Sequence, residues 1–143
     1  MMSSDEVVAQ LRAIDFFSAL SDKDLRRVAD RGSVHEHPAG SVLAEQDKSG
    51  VGFHLILTGT AQVEVGGQTR ASLKVGDHFG EISLIDGSPR SATVRVGPEG
   101  ATTFALTSWK FAPLLQEYPE ITLALLKTLC ARLRRTEALL DEH

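Results

Sequence analysis

The stretch FGEISLIDGSPRSATV, residues 79–94, sets Glu81 and Arg90 nine residues apart, around an apolar run too short for a full helix. Just ahead of it Gly76-Asp77 reads as a turn, and Gly80 removes a side chain where some group must approach the backbone. Ile82 to Ile85 reads as one helical turn ended by Asp86-Gly87, because glycine is preferred just beyond a helix. A single turn buries little and propagates nothing. What it supplies is unpaired backbone N–H groups at its N-terminus, which attract an anion. Arg90, its entry fixed by Pro89, begins a strand beside that turn, and a guanidinium can grip a phosphate through two parallel hydrogen bonds.

Glu81 discriminates among anions. An ionised carboxylate can only accept hydrogen bonds, so beside a bound phosphate it is repelled unless the same ligand offers it a donor. The ligand should then carry a hydroxyl next to its anion, which a ribose phosphate does. On residue types alone the alternative is a plain Glu81–Arg90 ion pair closing a surface loop.

Outward from this stretch the chain changes character twice. In the first 30 residues Val7, Val8, Leu11 and Ile14 fall on one helical face. Ser21 then caps a second segment, with Asp24 three residues on and Leu25 and Val28 facing inward. From Gly32 to Leu106 short alternating runs are separated by glycine: 35–38, 41–43, 53–57, 61–65, 71–75, 93–96 and 102–106. Strands at this spacing, with turns at Thr58-Gly59-Thr60 and Gly66-Gly67, predict an antiparallel barrel or jelly roll. From Ser108 the pattern is helical again, broken at Tyr118-Pro119, with a last helix from about Glu120 to Leu140. Along it Leu126, Leu129, Leu133, Thr136 and Leu140 recur at spacings of 3, 4, 3 and 4, a seam with one polar member. The seam either packs on the barrel or serves as a dimer seam or ligand lid, and it is too short for a free-standing coiled coil.

The 143 residues suffice for one domain with its own core, and 42% hydrophobic with 24% charged is ordinary for a globular chain. A net charge of -4 argues against a surface built throughout for nucleic acid. The single cysteine, Cys130, cannot form an internal disulfide; its surroundings read as a buried helix position, and a cytoplasmic setting is expected. The N-terminus lacks the pattern of an export signal, and nowhere do 18 apolar residues run together, so neither export nor membrane insertion is expected.

Residues 79–94 resemble the phosphate-binding cassette of cyclic nucleotide-binding domains, the module of the bacterial catabolite activator protein, cyclic-nucleotide-dependent kinases and gated channels. The similarity extends over the helical preface, the glycine-ended strand Phe53 to Gly59, Gly76 to Glu81 and two closing helices. It implies a mainly β fold, an antiparallel β jelly-roll barrel with an N-terminal helical segment and two C-terminal helices. The whole of 1–143 is then one cyclic nucleotide-binding domain: N-terminal helices over 1–31, the barrel over 32–107 with the cassette at 79–94, and hinge or lid helices over 108–143. Carried over by position, the resemblance implies that Glu81 holds the ribose 2'-hydroxyl and Arg90 neutralises the cyclic phosphate. Backbone N–H groups at Gly80, Glu81, Ile82 and near Ser91-Ala92 complete the cradle, and the Ser91 hydroxyl adds a hydrogen bond. Phe79 and Ser83 belong to the same ligand-binding set. Thr136 stands where activator-type relatives place a threonine that reaches the purine, although Glu137 replaces the serine often found beside it. The implied ligand is cAMP ahead of cGMP, and the implied role is a sensor whose C-terminal helices move on binding.

Rival readings come from other classes. A metal-dependent cupin enzyme would share the barrel and could draw on His35, His37, His54, His78 and Glu81, yet strand alternation offers no clear third ligand. No paired-metal cluster, nucleophile elbow or Walker loop is visible, so a binder is expected rather than an enzyme. DNA-reading relatives append a helix-turn-helix, which does not follow the last helix here, and Arg132, Arg134 and Arg135 read equally as a solvated face or a partner surface. A homodimer through the last helix, a fused or separate effector, and a degenerate barrel serving as an interaction scaffold complete the expectations. Whether the chain is a standalone sensor or a piece of a longer protein stays open.

Overall fold

The computed structural model describes residues 3–46, 52–81, 85 and 92–141. The first helix, α1 (Ser4–Arg12), is opened by Ser3, whose hydroxyl accepts from the Glu6 N–H. A 3-10 turn (Asp15–Phe17) follows, then α2 (Asp22–Arg31), where the Ser21 hydroxyl accepts from the Asp24 N–H at 3.2 Å, the cap expected from the sequence. Val7, Val8 and Leu11 are buried, as their helical spacing predicts, whereas Ile14, also buried, lies past the end of α1 in an extended conformation.

Among the described residues six antiparallel strands form one rolled sheet: β1 (Ser33–His37), β2 (Val42–Ala44), β3 (Gly52–Val65), β4 (Gln68–Leu73), β5 (His78–Phe79) and β6 (Thr93–Thr107). The long strands β3 and β6 pair with each other from Gly52↔Thr107 to Glu64↔Thr93. Each then takes a short partner on either half, β6 holding β1 and β2, and β3 holding β4 and β5. The antiparallel barrel with flanking helices is therefore the fold that forms, with two corrections to its strands. The runs expected at 53–57 and 61–65 are one strand, and so are those expected at 93–96 and 102–106. The glycine read as a turn at Gly59 is instead a bulge, with register shifts on both sides of it. Gly66-Gly67 does turn the chain, both at positive φ, as the tight β3–β4 hairpin requires.

Ser108–Glu117 forms α3 and Pro119–Asp141 forms α4. Tyr118 between them has φ -127° and ψ 80°, outside the helical region as the residue before proline prefers, and Pro119 opens α4 where its missing N–H costs nothing.

Alternation along β3 sends side chains to two separate cores. Phe53, Leu55 and Leu57 join Phe104 and Leu106 against the helices, where Phe17, Leu25, Phe111, Leu114, Ile121 and Leu125 are buried. Ile56 and Ala61 join Ala44 and Val94 in a smaller cluster within the barrel, flanked by Leu43, Val63, Leu73 and Phe79. Only Ile121 and Leu125 of α4 are buried; Leu126, Leu133 and Leu140 are 53%, 58% and 69% exposed. Most of the leucine seam therefore does not pack on the barrel, and Cys130, expected inside, is exposed. Leu129 is the exception, half-buried beside Phe16 and Glu81, while the outer leucines of the helix stay largely exposed.

At the bulge, Gly59 has φ 79°, and a Cβ there would lie 2.1 Å from the Gly100 carbonyl oxygen. Backbone lies on that side, so no side-chain adjustment relieves the clash. Gly59→Ala should cost at least about 2 kcal/mol by combining strain with overlap. Urea unfolding that shows less than about 0.5 kcal/mol would mean that the bulge is not a fixed element.

Candidate functional site

The turn into the cassette is built as the sequence implies. Gly76 has φ 93°, and the Asp77 carboxylate accepts from the Lys74 N–H at 2.9 Å. Asp77 and Gly76 also exchange backbone hydrogen bonds with Ile56, both at 2.9 Å, which fixes the turn to the middle of β3. In β5, His78 pairs with Leu55 and Phe79 with His54. The two side chains part as alternation dictates. Phe79 stacks on His54, 5.0 Å between ring centroids, and packs on the barrel cluster, whereas the His78 ring meets Phe16 edge-on at 5.2 Å and lies 5.6 Å from Phe53. Gly80 follows with φ 102°, a conformation that itself calls for glycine. Its presence is thus explained by backbone geometry before any ligand is invoked.

Glu81 is 7% exposed. Its Oε1 lies 3.4 Å from His78 Nδ1 and 3.8 Å from an Arg132 guanidinium nitrogen on α4. Its Oε2 is buried and makes no hydrogen bond among the described residues, and His78 Nδ1 is buried without one as well. Burial pushes the Glu81 carboxyl up, but the close His78 ring, backbone hydrogen bonding and the Arg132 guanidinium together outweigh it and hold the group below its ordinary range. Phe16, Leu125, Thr128, Leu129 and Arg132 enclose Glu81 and Ile85 around a void of about 10 Å³, room for one water at most. An open groove of about 550 Å³ adjoins it, lined by Asp15, Asp77, His78, Arg132 and Arg135 among others.

Of the residues expected at the site, Phe79, Gly80 and Glu81 are consecutive here, Ala92 lies in a half-buried bend just before β6, and Ile82, Ser83, Arg90 and Ser91 lie outside the described residues. Thr136 is exposed, and its hydroxyl donates to the Arg132 carbonyl at 3.0 Å, one turn back along α4. The α4 residue that meets Glu81 in this arrangement is Arg132, which sequence reading had grouped with a basic face. Of the histidines weighed as metal ligands, His35 bonds Ser33, His37 bonds Thr103 and His54 stacks on Phe79. Among the described residues no three His, Cys, Asp or Glu side chains converge on a metal position.

Residues 34–118 match the cyclic nucleotide-binding domain family. The chain belongs to that family. A cAMP-dependent protein kinase regulatory subunit of Emericella nidulans is 32% identical over 93 residues, 64% of this chain and 23% of that protein. The chain thus spans about a quarter of that relative's length. Among solved structures, the Thermus thermophilus catabolite activator protein has a TM-score of 0.78 at 28% identity, over 90% of this chain and 62% of its own. A cyclic nucleotide-binding domain from Methylobacillus flagellatus has a TM-score of 0.77 at 27% identity, over 98% of this chain and 84% of its own. No helix among the described residues of this cyclic nucleotide-binding domain is long and apolar enough to cross a membrane.

Because the Glu81 carboxyl is held below its ordinary value, its pairing stabilises the fold above that value and ceases to do so as pH falls through the lowered one. Urea stability measured from about pH 6 to about pH 3 should fall more steeply in the ligand-free wild type than in Glu81→Gln. Identical slopes would mean that the pairing with His78 and Arg132 contributes nothing in solution.

Proposed function

We propose that the chain is a cAMP sensor in which Glu81 accepts the ribose 2'-hydroxyl, Arg90 neutralises the cyclic phosphate, and α4 carries the signal. The observation that carries this reading is the Glu81 carboxylate: ionised, almost fully buried, and with Oε2 lacking a hydrogen-bond partner among the described residues. An unsatisfied buried acceptor costs about 1–3 kcal/mol, which a ligand hydroxyl would relieve. Backbone N–H groups from Gly80 to Ile82 and near Ser91-Ala92, with the Ser91 hydroxyl, complete the cradle, and Phe79 and Ser83 stand beside it. The likeness to a cAMP-dependent kinase regulatory subunit supports cAMP over cGMP. The role is binding and regulation rather than catalysis, in a cytoplasmic, reducing setting that leaves the exposed Cys130 free.

The signal passes through the α4 contacts with Glu81. Arg132, Leu125 and Leu129 cover the carboxylate, so a ligand that draws on Glu81 alters what α4 packs against. Thr136 acts in the bound arrangement, where movement of the helix brings it to the purine. The bare leucines of α4 form the output surface, meeting a second copy of this chain.

Isothermal titration of the purified chain with cAMP, cGMP and 5'-AMP tests the reading: cAMP should bind best and the linear nucleotide not at all. Arg90→Ala should lose about 2–5 kcal/mol of binding energy by leaving the phosphate unpaired. Unchanged affinity in that variant would remove the cassette assignment. Addition of cAMP should also change amide exchange along Leu125 to Thr136 of α4 but not in β3 or β6. A uniform change throughout the fold would speak for general stabilisation rather than signalling.

A further inference from the structure

Resting on that reading of Glu81, we propose that His78 is a positioning residue: its Nδ1–H holds Glu81 Oε1, so that Oε2 stays turned to the ligand's hydroxyl. Two buried polar atoms without hydrogen bonds among the described residues stand together here, His78 Nδ1 and Glu81 Oε2, and the distance from Nδ1 to Oε1 is 3.4 Å. That is slightly longer than a formed N–H···O bond, and a shift of a few tenths of an ångström closes it. Such contacts are often long in unliganded sites and tighten in the complex. The ring has little freedom to do otherwise. It is boxed by Phe16 and Phe53, its side chain is 23% exposed, and its strand is registered against Leu55. Fixing one carboxylate oxygen removes the rotation that would otherwise compete with hydroxyl binding, so His78 contributes to ribose discrimination without touching the ligand.

The experiment is titration of cAMP and 2'-deoxy-cAMP into wild type, His78→Asn and His78→Phe. Asparagine offers an amide N–H close to the position of Nδ1, whereas phenylalanine keeps the packing and offers no donor. His78→Phe should bind cAMP about tenfold more weakly while binding the deoxy ligand almost unchanged, shrinking the ratio between them. His78→Asn should restore the ratio. If His78→Phe folds and keeps the wild-type ratio, or if His78→Asn folds and shows the reduced ratio of His78→Phe, the assignment is overturned. Should His78→Phe fail to fold by thermal melting, His78→Leu, which also offers no donor, is read in its place. A wild type that binds neither nucleotide overturns the underlying reading of the site, a result distinct from failure of the His78 variants in a protein that binds.

Discussion

The pairing of β3 with β6 is the constraint on which the rest of this fold depends. At 14 and 15 residues these strands are longer than one face of a small domain needs, and the bulge at Gly59 lets the pair bend without ending. Bending allows the same two strands to close a barrel on one side and support the helices on the other. Period-two alternation divides their side chains: Phe53, Leu55 and Leu57 hold the helices, and Ile56 holds the barrel interior. The two-residue strand β5 inherits that division because it is registered on Leu55 and His54. Phe79 therefore goes with the barrel and His78 with the helices. Glu81, just beyond the left-handed Gly80, arrives where barrel, 3-10 turn and α4 meet.

A buried carboxylate at such a junction is a poor means of stabilising a protein. Taking Glu81 out of water costs several kcal/mol, and the two partners that oppose this cost, the His78 ring and the Arg132 guanidinium, stand at 3.4 and 3.8 Å, too far for short charge-assisted hydrogen bonds. An apolar residue of similar size would serve packing better, since Phe16, Leu125 and Leu129 already surround the position. A carboxylate kept ionised and incompletely satisfied is the state that the proposed contact with a ligand hydroxyl calls for.

The sequence was legible wherever a local pattern sufficed. The cap at Ser21, the buried face of Val7, Val8 and Leu11, the hairpin at Gly66-Gly67 and the break at Tyr118-Pro119 each follow from a few neighbouring residues. Gly59 misled because a glycine among alternating residues marks either a turn or a bulge, and only pairing across the sheet distinguishes them. The last helix misled for a different reason. Its inward stripe is Ile121, Leu125, Thr128 and Arg132, continued by Arg135 along the adjoining groove, at spacings of 4, 3, 4 and 3. That stripe turns polar as it passes the cassette, while the outward stripe stays rich in leucine, so a search for apolar periodicity follows the wrong face. Arg132 was legible as a residue but not as a neighbour of Glu81, since a 51-residue separation leaves no trace in local spacing. The helical stripe that becomes charged beside the cassette was the signal available.

Any coupling between the cassette and α4 must draw on more than that one pair. Reversing a 1:99 balance of helix arrangements takes about 5.5 kcal/mol of differential affinity. Arg132 is about half exposed and 3.8 Å from Glu81, and a screened contact of that kind supplies about 1 kcal/mol or less. The larger resource is apolar: Leu125 and Leu129 lie over Glu81 and Ile85 together with Phe16. Uncovering two such side chains involves at most about 1.5–3 kcal/mol each, so the two approach the requirement only at the top of that range. On the proposed coupling, the charge pair would bias the helix towards the arrangement seen here, and the apolar cover would set how decisively it changes once the carboxylate is engaged. Ile121, buried in the core, would stay in place under that proposal.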